Sequence, residues 1–263
     1  MSLPPSGSDA LVLDDAGARI APTSEPDWQE WVAASRTRHF LDGDPLLDWL
    51  ERYGEEHGFV RDTDLEGYDP RTDLRDMILE RGKQFEDGVM TLIRADLETV
   101  HIGEGWHDAR DLAAAERTVA AMRAGTPVIA QAVLRDPSRR TYGTVDLLVR
   151  SDVLDTIVAD TLGPDEAGVG APGIGASDWH YRAVDIKFRT LDLLKDGAAA
   201  SGLLGYMAQV WVYNAALGRI QGYTPPATYL LGRAWTQGKE RGDTCFDRLA
   251  RVDHDRILSG QVT

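Results

Sequence analysis

The sequence predicts an α/β fold in which helices flank a mixed central β-sheet and a helical portion precedes the sheet. Two observations predict it. Apolar residues recur at helical spacing up to Gly125, and after Gly125 they alternate or run together over strand lengths. A long apolar helical stretch then separates the third of these strands from a fourth, an order typical of a sheet with helices packed on its faces.

The N-terminal part is predicted to contain four helices. Residues 1–26 are rich in Pro, Ser, Gly and Asp and are expected to be peripheral, with at most a short hairpin. Two helices broken near Gly43 should follow, because Trp and Leu residues recur at helical spacing on both sides of that break. A third helix is predicted over residues 71–97, with Gly82 as a potential break, and an alanine-rich fourth helix over residues 108–125.

The rest of the chain reads mainly as strands. Residues 126–136 and 141–154 are separated by a turn-forming Pro-Ser sequence, which predicts an antiparallel pair. Residues 161–178 are rich in Gly and Pro and are predicted to be a flexible loop. A third strand, a long apolar helix and a fourth strand are then expected at residues 179–188, 202–218 and 227–235. The last residues read as the start of a helix, which favours a longer parent chain or a partner that completes the helix.

Composition excludes several classes of protein. The formal net charge is -15, so the surface as a whole repels polyanions, and contact with nucleic acid would need a local basic patch or bound cations. The single cysteine, Cys245, excludes disulfide frameworks, four-cysteine zinc sites and cysteine-held iron–sulfur clusters. The histidines show no metal-ligand spacing and are predicted to be structural or on the surface. Because neither a secretory pattern nor a long apolar run is present, we expect a soluble, cytoplasmic protein without a membrane partner.

Charged residues interrupt two of the predicted strands. Asp185 and Lys187 stand two positions apart in an otherwise apolar strand, so both side chains point to one face. In the preceding strand, the carboxylate of Asp146 leaves a largely apolar run. Pairing of the two strands would bring Asp146 beside Asp185. Carboxylates at close range repel unless a cation lies between them, and hard oxygen ligands suit Mg²⁺ or Mn²⁺.

The third predicted helix offers another acid. Glu86 follows Phe85, and the small Gly82 would let this helix approach the sheet, although the adjacent Asp87 leaves the choice between two acids open. Lys187 then has alternative tasks. Its ammonium could orient an attacking water or stabilise developing charge on a phosphate, or, with a lowered pKa, the amine could help to deprotonate the water.

These residues form a pattern that resembles the PD-(D/E)xK nuclease superfamily. Gly82–Glu86 looks like the GxxFE form of the helical first motif of that family, and Gly143–Asp146 looks like its GxxD motif. Asp185–Lys187 is similar to the third motif. Gln209–Tyr213 matches the QxxxY signature on the helix after the third strand, which is similar to the RecB-like exonuclease branch.

The resemblance implies a restriction-endonuclease-like core and Mg²⁺- or Mn²⁺-dependent hydrolysis of DNA phosphodiester bonds. It implies a RecB-like exonuclease of DNA repair and recombination or of phage and defence systems, here without an iron–sulfur cluster. The implied metal ligands are Glu86, Asp146, Asp185 and the backbone carbonyl of Ile186. The implied catalytic residues are Glu86, Asp146, Asp185 and Lys187. The predicted substrate-binding residues are Gln209, Tyr213, Arg150 and Arg189, of which the first two would support either the site or the nucleic acid. The two arginines belong to a local excess of basic residues around the predicted strands.

The predicted organisation has four parts: a peripheral segment at 1–26, a helical portion at 27–72, a nuclease core at 73–240 and a C-terminal tail at 241–263. Two other functions stay open beside the nuclease. The chain could be a catalytically inactive module of this fold that binds nucleic acid or protein within a larger assembly. It could also be an unrelated metal-dependent phosphohydrolase that acts on small nucleotides.

Overall fold

A computed structural model describes residues 12–13, 19–20 and 26–258, apart from residues 42, 70, 72 and 105. The α-helices are α1 (Thr37–Leu41), α2 (Pro45–Tyr53), α3 (Leu74–Asp96), α4 (Leu112–Arg123), α5 (Leu154–Ile157), α6 (Pro164–Ala167), α7 (Leu204–Gln221) and α8 (His254–Leu258). The strands are β1 (Val12–Leu13), β2 (Arg19–Ile20), β3 (Val32–Ala33), β4 (Thr99–His101), β5 (Val128–Asp136), β6 (Thr141–Arg150), β7 (Tyr181–Leu193), β8 (Ala227–Gln237), β9 (Glu240–Gly242) and β10 (Ala250–Asp253).

An eight-stranded mixed sheet forms the centre of the protein, with the order β10-β8-β7-β6-β5-β4 and with β3 and β9 pairing on β6 and β8. Strands β5, β6 and β7 form an antiparallel series, and α7 then crosses over so that β8 runs parallel to β7. The predicted α/β fold with a mixed sheet flanked by helices is confirmed. β1 and β2 form the short N-terminal hairpin outside this sheet.

Successive residues of the central strands pack into two cores, one on each face of the sheet. Val128 and Val184 pack with the buried face of α3, in what we call the α3-side core. Ile129 and Ala183, their neighbours in the chain, pack with α4 and α7 in the α7-side core. The sheet is therefore covered by helices on both faces, which explains the apolar runs of its central strands.

The helices α3 and α4 each begin at an aspartate that caps the helix N-terminus. The carboxylate of Asp73 accepts a hydrogen bond from the Arg75 amide at 2.7 Å and caps α3, and Asp111 caps α4 in the same way. The structure contradicts the predicted break at Gly82, because α3 continues through it. Its small size is not needed for close approach either, since an added Cβ would meet Phe188 Cβ at 3.8 Å, an ordinary contact.

The prediction of the first helix, which began near Trp28, is largely wrong. Trp28–Glu30 and Ala34–Arg36 form single 3-10 turns, and β3 lies between them and pairs in parallel with the start of β6. Regular helix begins only at α1. Sequence periodicity alone could not reveal this, because the backbone of β3 gains its hydrogen bonds from a strand more than a hundred residues away.

The prediction that the last residues begin a helix is wrong for the first part of that segment. Residues Ala250–Asp253 form β10, which pairs antiparallel with β8, and the chain enters α8 only at His254. Strands from both segments that were predicted to flank the core thus join the central sheet. The domain boundaries at residues 72 and 240 stay predictions.

The Gly- and Pro-rich segment 161–178, predicted to be a flexible loop, is joined to the rest of the protein by ion pairs and hydrogen bonds. It contains α6 and a 3-10 turn, and Glu166 of α6 pairs with Arg251 of β10 at 3.0 Å. Arg182, which is fully buried, donates through Nε to His180 Nε2 at 2.7 Å and through Nη1 to the Ala227 carbonyl at 3.0 Å. His180 Nδ1 lies 2.8 Å from the carbonyl of Val169 and donates to it, because Nε2 is the acceptor.

This arrangement requires a neutral imidazole, and we expect it to make stability depend on pH. Burial and the charge of Arg182 lower the pKa of His180 to about 4, whereas the unfolded chain takes up this proton near pH 6.5. As the pH falls from 6.5 to 4, the unfolded state binds more protons and the folded state loses up to about 3 kcal/mol. Denaturation of the wild-type protein and of His180→Gln across this range should show a shallower loss in the variant. Parallel curves below pH 6 would contradict the prediction.

Candidate active site

The site is built at a break in the pairing of β6. β5 covers one edge of β6 from Thr141 to Val149. The other edge is shared, because β3 pairs with Thr141 and Tyr142 whereas β7 pairs only from Leu147 onward. Residues 143–146, which are the predicted GxxD motif, therefore lie where neither strand covers the edge.

Asp146 and Asp185 meet at this break, as the sequence predicts. Leu147 pairs with Val184, so Asp146 and Asp185 occupy the next opposed position, just beyond the last ladder pair. Asp146 Oδ2 accepts a hydrogen bond from the Ile186 amide at 2.6 Å. The carboxylate thus takes the place of a strand partner for β7, which fixes the spacing of the two acids.

Glu86 joins them from α3. Its side chain is half-buried and accepts a short hydrogen bond from Nε2 of Gln131, whereas the adjacent Asp87 is exposed. The same Gln131 nitrogen donates to Asp146 Oδ1 at 3.2 Å. Glu86 and Asp146 therefore converge on one point in space, and of the two neighbouring acids it is Glu86 that faces the sheet.

Gln131 was not predicted as a site residue. It lies opposite Asp146 in β5 and has a φ of 49°, in the left-handed region, which costs a non-glycine residue on the order of 1 to 3 kcal/mol. Its neighbours Ala130 and Ala132 pack in different cores, so the alternation of the strand changes here. A polar residue inside an apolar strand is the signal that identifies Asp146 and Asp185, and it would also have identified Gln131.

Lys187 stands beside the acids. Its ammonium contacts Asp185 Oδ2, and its side chain is 18% exposed while that of Asp185 is 1% exposed. Burial opposes the charge on Lys187, but the carboxylates of Asp185 and Asp146 prevail and raise its pKa. A raised pKa keeps Lys187 protonated at neutral pH, which favours a role as a positive hydrogen-bond donor over a role as a base.

The QxxxY pair fills the uncovered edge of β6. Tyr213 of α7 donates its hydroxyl hydrogen to the carbonyl of Thr144 at 2.8 Å, and Gln209 Nε2 donates to the same hydroxyl at 2.9 Å. A Cβ on Gly143 would lie 2.8 Å from Tyr213 Cε1, so only glycine leaves room for the ring. Tyr213 is 3% exposed. The structure thus shows this pair supporting the site from within the core.

The two predicted substrate-binding arginines are placed differently. Arg189 Cζ lies 5.5 Å from the centre of the Tyr206 ring, which Lys187 Nζ also approaches at 5.3 Å. Arg150 lies four residues from Asp146 along β6, or about 13 Å at the rise of a strand. Its guanidinium pairs with Asp152 and donates to the Gly125 carbonyl at 2.8 Å. The structure brings Arg189 to the site and does not bring Arg150 there.

The site carries more negative charge than its own residues balance. Burial raises the pKa of Asp146 well above its usual range, and the charge of Asp185 raises it further. Burial also raises the pKa of Glu86, against the hydrogen bond from Gln131. Lys187 offers one positive charge to three carboxylates. A bound cation would relieve the excess.

The donor chemistry fits a divalent ion. Glu86, Asp146 and Asp185 supply only oxygen atoms, which Mg²⁺ and Mn²⁺ prefer, and the hydrogen bonds from the neutral Gln131 amide show two of the carboxylates converging on one donor. Within the described ranges, no group of three or more His, Cys, Asp or Glu side chains is already arranged as a metal centre. Coordination of an ion by these carboxylates would therefore need the Gln131 amide and the Lys187 ammonium to give up some of their contacts with the carboxylate oxygens.

The comparisons with known proteins add no relative. No protein-family model, curated protein or solved structure matches the chain. In the part of the chain that the structure describes, no helix has both the length and the apolar character to cross a bilayer.

Replacement of Gly143 tests how tightly Tyr213 occupies the β6 edge. We expect Gly143→Ala to lower the free energy of unfolding by about 1 to 3 kcal/mol, because the new methyl group overlaps the buried ring. Gly88→Ala is the matched control, since a Cβ at this exposed position of α3 meets no atom within 4 Å. The control should raise stability by about 0.5 to 1 kcal/mol. Equal denaturation midpoints for the two variants would contradict this packing.

Proposed function

We propose that the protein is a Mg²⁺- or Mn²⁺-dependent nuclease that hydrolyses DNA phosphodiester bonds, with a restriction-endonuclease-like core of the RecB-like PD-(D/E)xK kind. The observation that carries the proposal is the convergence of Glu86, Asp146, Asp185 and Lys187 at the break in β6 pairing. These residues come from α3, β6 and β7, far apart along the chain. Carboxylates clustered beside an ammonium suit hydrolysis of a phosphate ester assisted by a metal ion.

The element order supports the same reading. The four motifs recognised in the sequence lie, in chain order, on α3, β6, β7 and α7. Three of the motifs meet at the break. The fourth, on α7, places Tyr213 against the uncovered β6 edge beside it. Chance occurrences of such short motifs would have no reason to lie side by side in space.

The chain supplies the positioning chemistry. Glu86, Asp146 and Asp185 would hold the ion, which when bound polarises the phosphoryl group and lowers the pKa of water. Lys187 is charged, is partly exposed and stands next to Asp185, so its ammonium can donate hydrogen bonds to the charge that develops on the phosphate. The same donors can orient the attacking water. The raised pKa of Lys187 argues against its use as the general base.

Cations near the site supply the attraction that the acidic chain otherwise lacks. Arg38 of α1 lies with its Cζ 4.8 Å from the centre of the Tyr206 ring, the ring that Lys187 and Arg189 also approach. Positive charge from two parts of the chain thus lies around the Tyr206 ring, and Lys187 connects this group to the carboxylate of Asp185. A local basic patch of this kind favours a polyanionic substrate despite the net charge of -15.

A catalytically inactive binding module is the second candidate. Gln131 already bridges Glu86 and Asp146, and Lys187 already pairs with Asp185, so the acids have partners within the protein. Such a module need not bind a divalent ion at these residues. Titration calorimetry with Mn²⁺ separates the candidates, since the nuclease should bind the ion and Asp146→Asn should lose that binding.

Cleavage of labelled DNA with Mg²⁺ or Mn²⁺ tests the nuclease directly. We expect Asp146→Asn and Lys187→Ala to reduce the cleavage rate by at least about 100-fold, because the first removes a carboxylate that would hold the ion and the second removes the ammonium that would donate to the phosphate. Asp87→Asn is the matched control, as it removes an exposed carboxylate next to Glu86 and should leave the rate within about twofold. Equal cleavage by Asp146→Asn, Lys187→Ala and the wild type would overturn the assignment.

A further inference from the structure

An exposed aromatic ring stands directly after the candidate catalytic lysine. Phe188 is 38% exposed, although it follows Val184 and Ile186 on the face of β7 that packs in the α3-side core. β6 no longer pairs with β7 beyond Val184, and the pairing of β7 with β8 is irregular between Lys187 and Thr190. The ring therefore lies on the part of β7 that β6 leaves uncovered, next in the chain to Lys187 and on the opposite face of the strand.

The ring has a cationic and aromatic setting. Phe85 of α3 packs against it with ring centres 5.8 Å apart, and the guanidinium of Arg233 lies 5.2 Å from its centre. Arg233 is exposed on β8, and no ion pair joins it to a carboxylate within the described residues. A solvent-facing aromatic ring accompanied by a cation is the pairing with which proteins hold unpaired bases.

The face of β7 opposite to Phe188 carries positive charge at the two neighbouring positions of the strand. Lys187 and Arg189 flank Phe188 in the chain and point to the other side, where both lie near the Tyr206 ring together with Arg38. A polynucleotide that crosses the end of β7 would thus meet cationic side chains on one face and an exposed aromatic ring on the other.

We propose that Phe188, supported by Arg233, stacks on an unpaired base next to the phosphate at the candidate active site. The preferred substrate is then a single strand or a single-stranded end rather than an intact duplex, because in a duplex the neighbouring base pairs cover both faces of each base. This inference rests on the proposed function for the position of the phosphate, and it adds the strand type that the site accepts.

Binding without divalent ions separates recognition from cleavage. Fluorescence anisotropy in EDTA and at one fixed low salt concentration should be measured with a labelled single-stranded oligodeoxynucleotide and with the same sequence as a blunt duplex. We expect the single strand to bind more tightly than the duplex. Phe188→Leu keeps an apolar side chain against Phe85 but removes the π face, and it should weaken single-strand binding about 5- to 100-fold and duplex binding less than about twofold.

Two comparisons control for folding and for nonspecific effects. Phe188→Tyr keeps the aromatic face and should bind the single strand within about threefold of the wild type. Phe59→Ala removes a ring that is 58% exposed in the N-terminal helical portion and should change neither affinity. Thermal unfolding of each variant shows whether a loss of binding reflects loss of the fold.

The outcomes distinguish the inference from the proposed function. The inference is overturned if Phe188→Leu binds the single strand like the wild type, or if it weakens single-strand and duplex binding equally. If DNA is cleaved with Mg²⁺ or Mn²⁺ in that case, the nuclease assignment still stands. Conversely, single-strand binding that depends on Phe188 without any cleavage supports the stacking site and overturns the nuclease assignment.

Discussion

The candidate site depends on the incomplete pairing of one edge of β6. A strand in the middle of a sheet normally has both edges covered, and buried backbone groups without partners are costly. Here β3 and β7 cover the two ends of that edge, the Tyr213 hydroxyl donates to the Thr144 carbonyl in between, and the Asp146 carboxylate accepts from the Ile186 amide of β7. The polar side chains are thus part of the sheet's own hydrogen bonding. The position of the Asp146 carboxylate at the end of the β6–β7 ladder follows directly from this construction.

The clustering of acids has an energetic cost that several contacts offset. Burial and mutual repulsion raise the pKa of Glu86 and of Asp146, which means that the charged forms are disfavoured in the folded protein. The Gln131 amide and the Lys187 ammonium reduce this cost without removing it. Gln131 does so from a left-handed backbone conformation, which is itself unfavourable. Strain and charge crowding at one point, in an otherwise regular sheet, are typical of functional sites.

The sequence predicted those parts that local patterns determine. The antiparallel pair β5 and β6, the long helices α3, α4 and α7, and the meeting of Asp146 with Asp185 follow from periodicity and from the alternation of strand side chains. β3 and β10 were missed because each is a short strand that acquires its hydrogen bonds from a distant partner. Arg150 was predicted to bind substrate because it belongs to a local excess of basic residues around the predicted strands, but its distance from Asp146 along β6 separates it from the site. Gln131 carries the same signal as the two acids, a polar residue in an apolar strand, but the positive φ that changes the alternation of β5 there follows from no rule of periodicity.

Structural and chemical roles overlap at some residues of the site and separate at others. Gly143 and Tyr213 fit each other so closely that a change at either alters the β6 edge, and with it the spacing of the acids. Lys187 and Phe188 are different, because both lie beyond the last β6–β7 pair and reach solvent. The strand that carries them is held by Asp146 at Ile186, one residue before Lys187. The break in pairing therefore sets Asp146 and Asp185 at the end of the β6–β7 ladder and leaves Lys187 and Phe188 beyond it, where both side chains reach solvent.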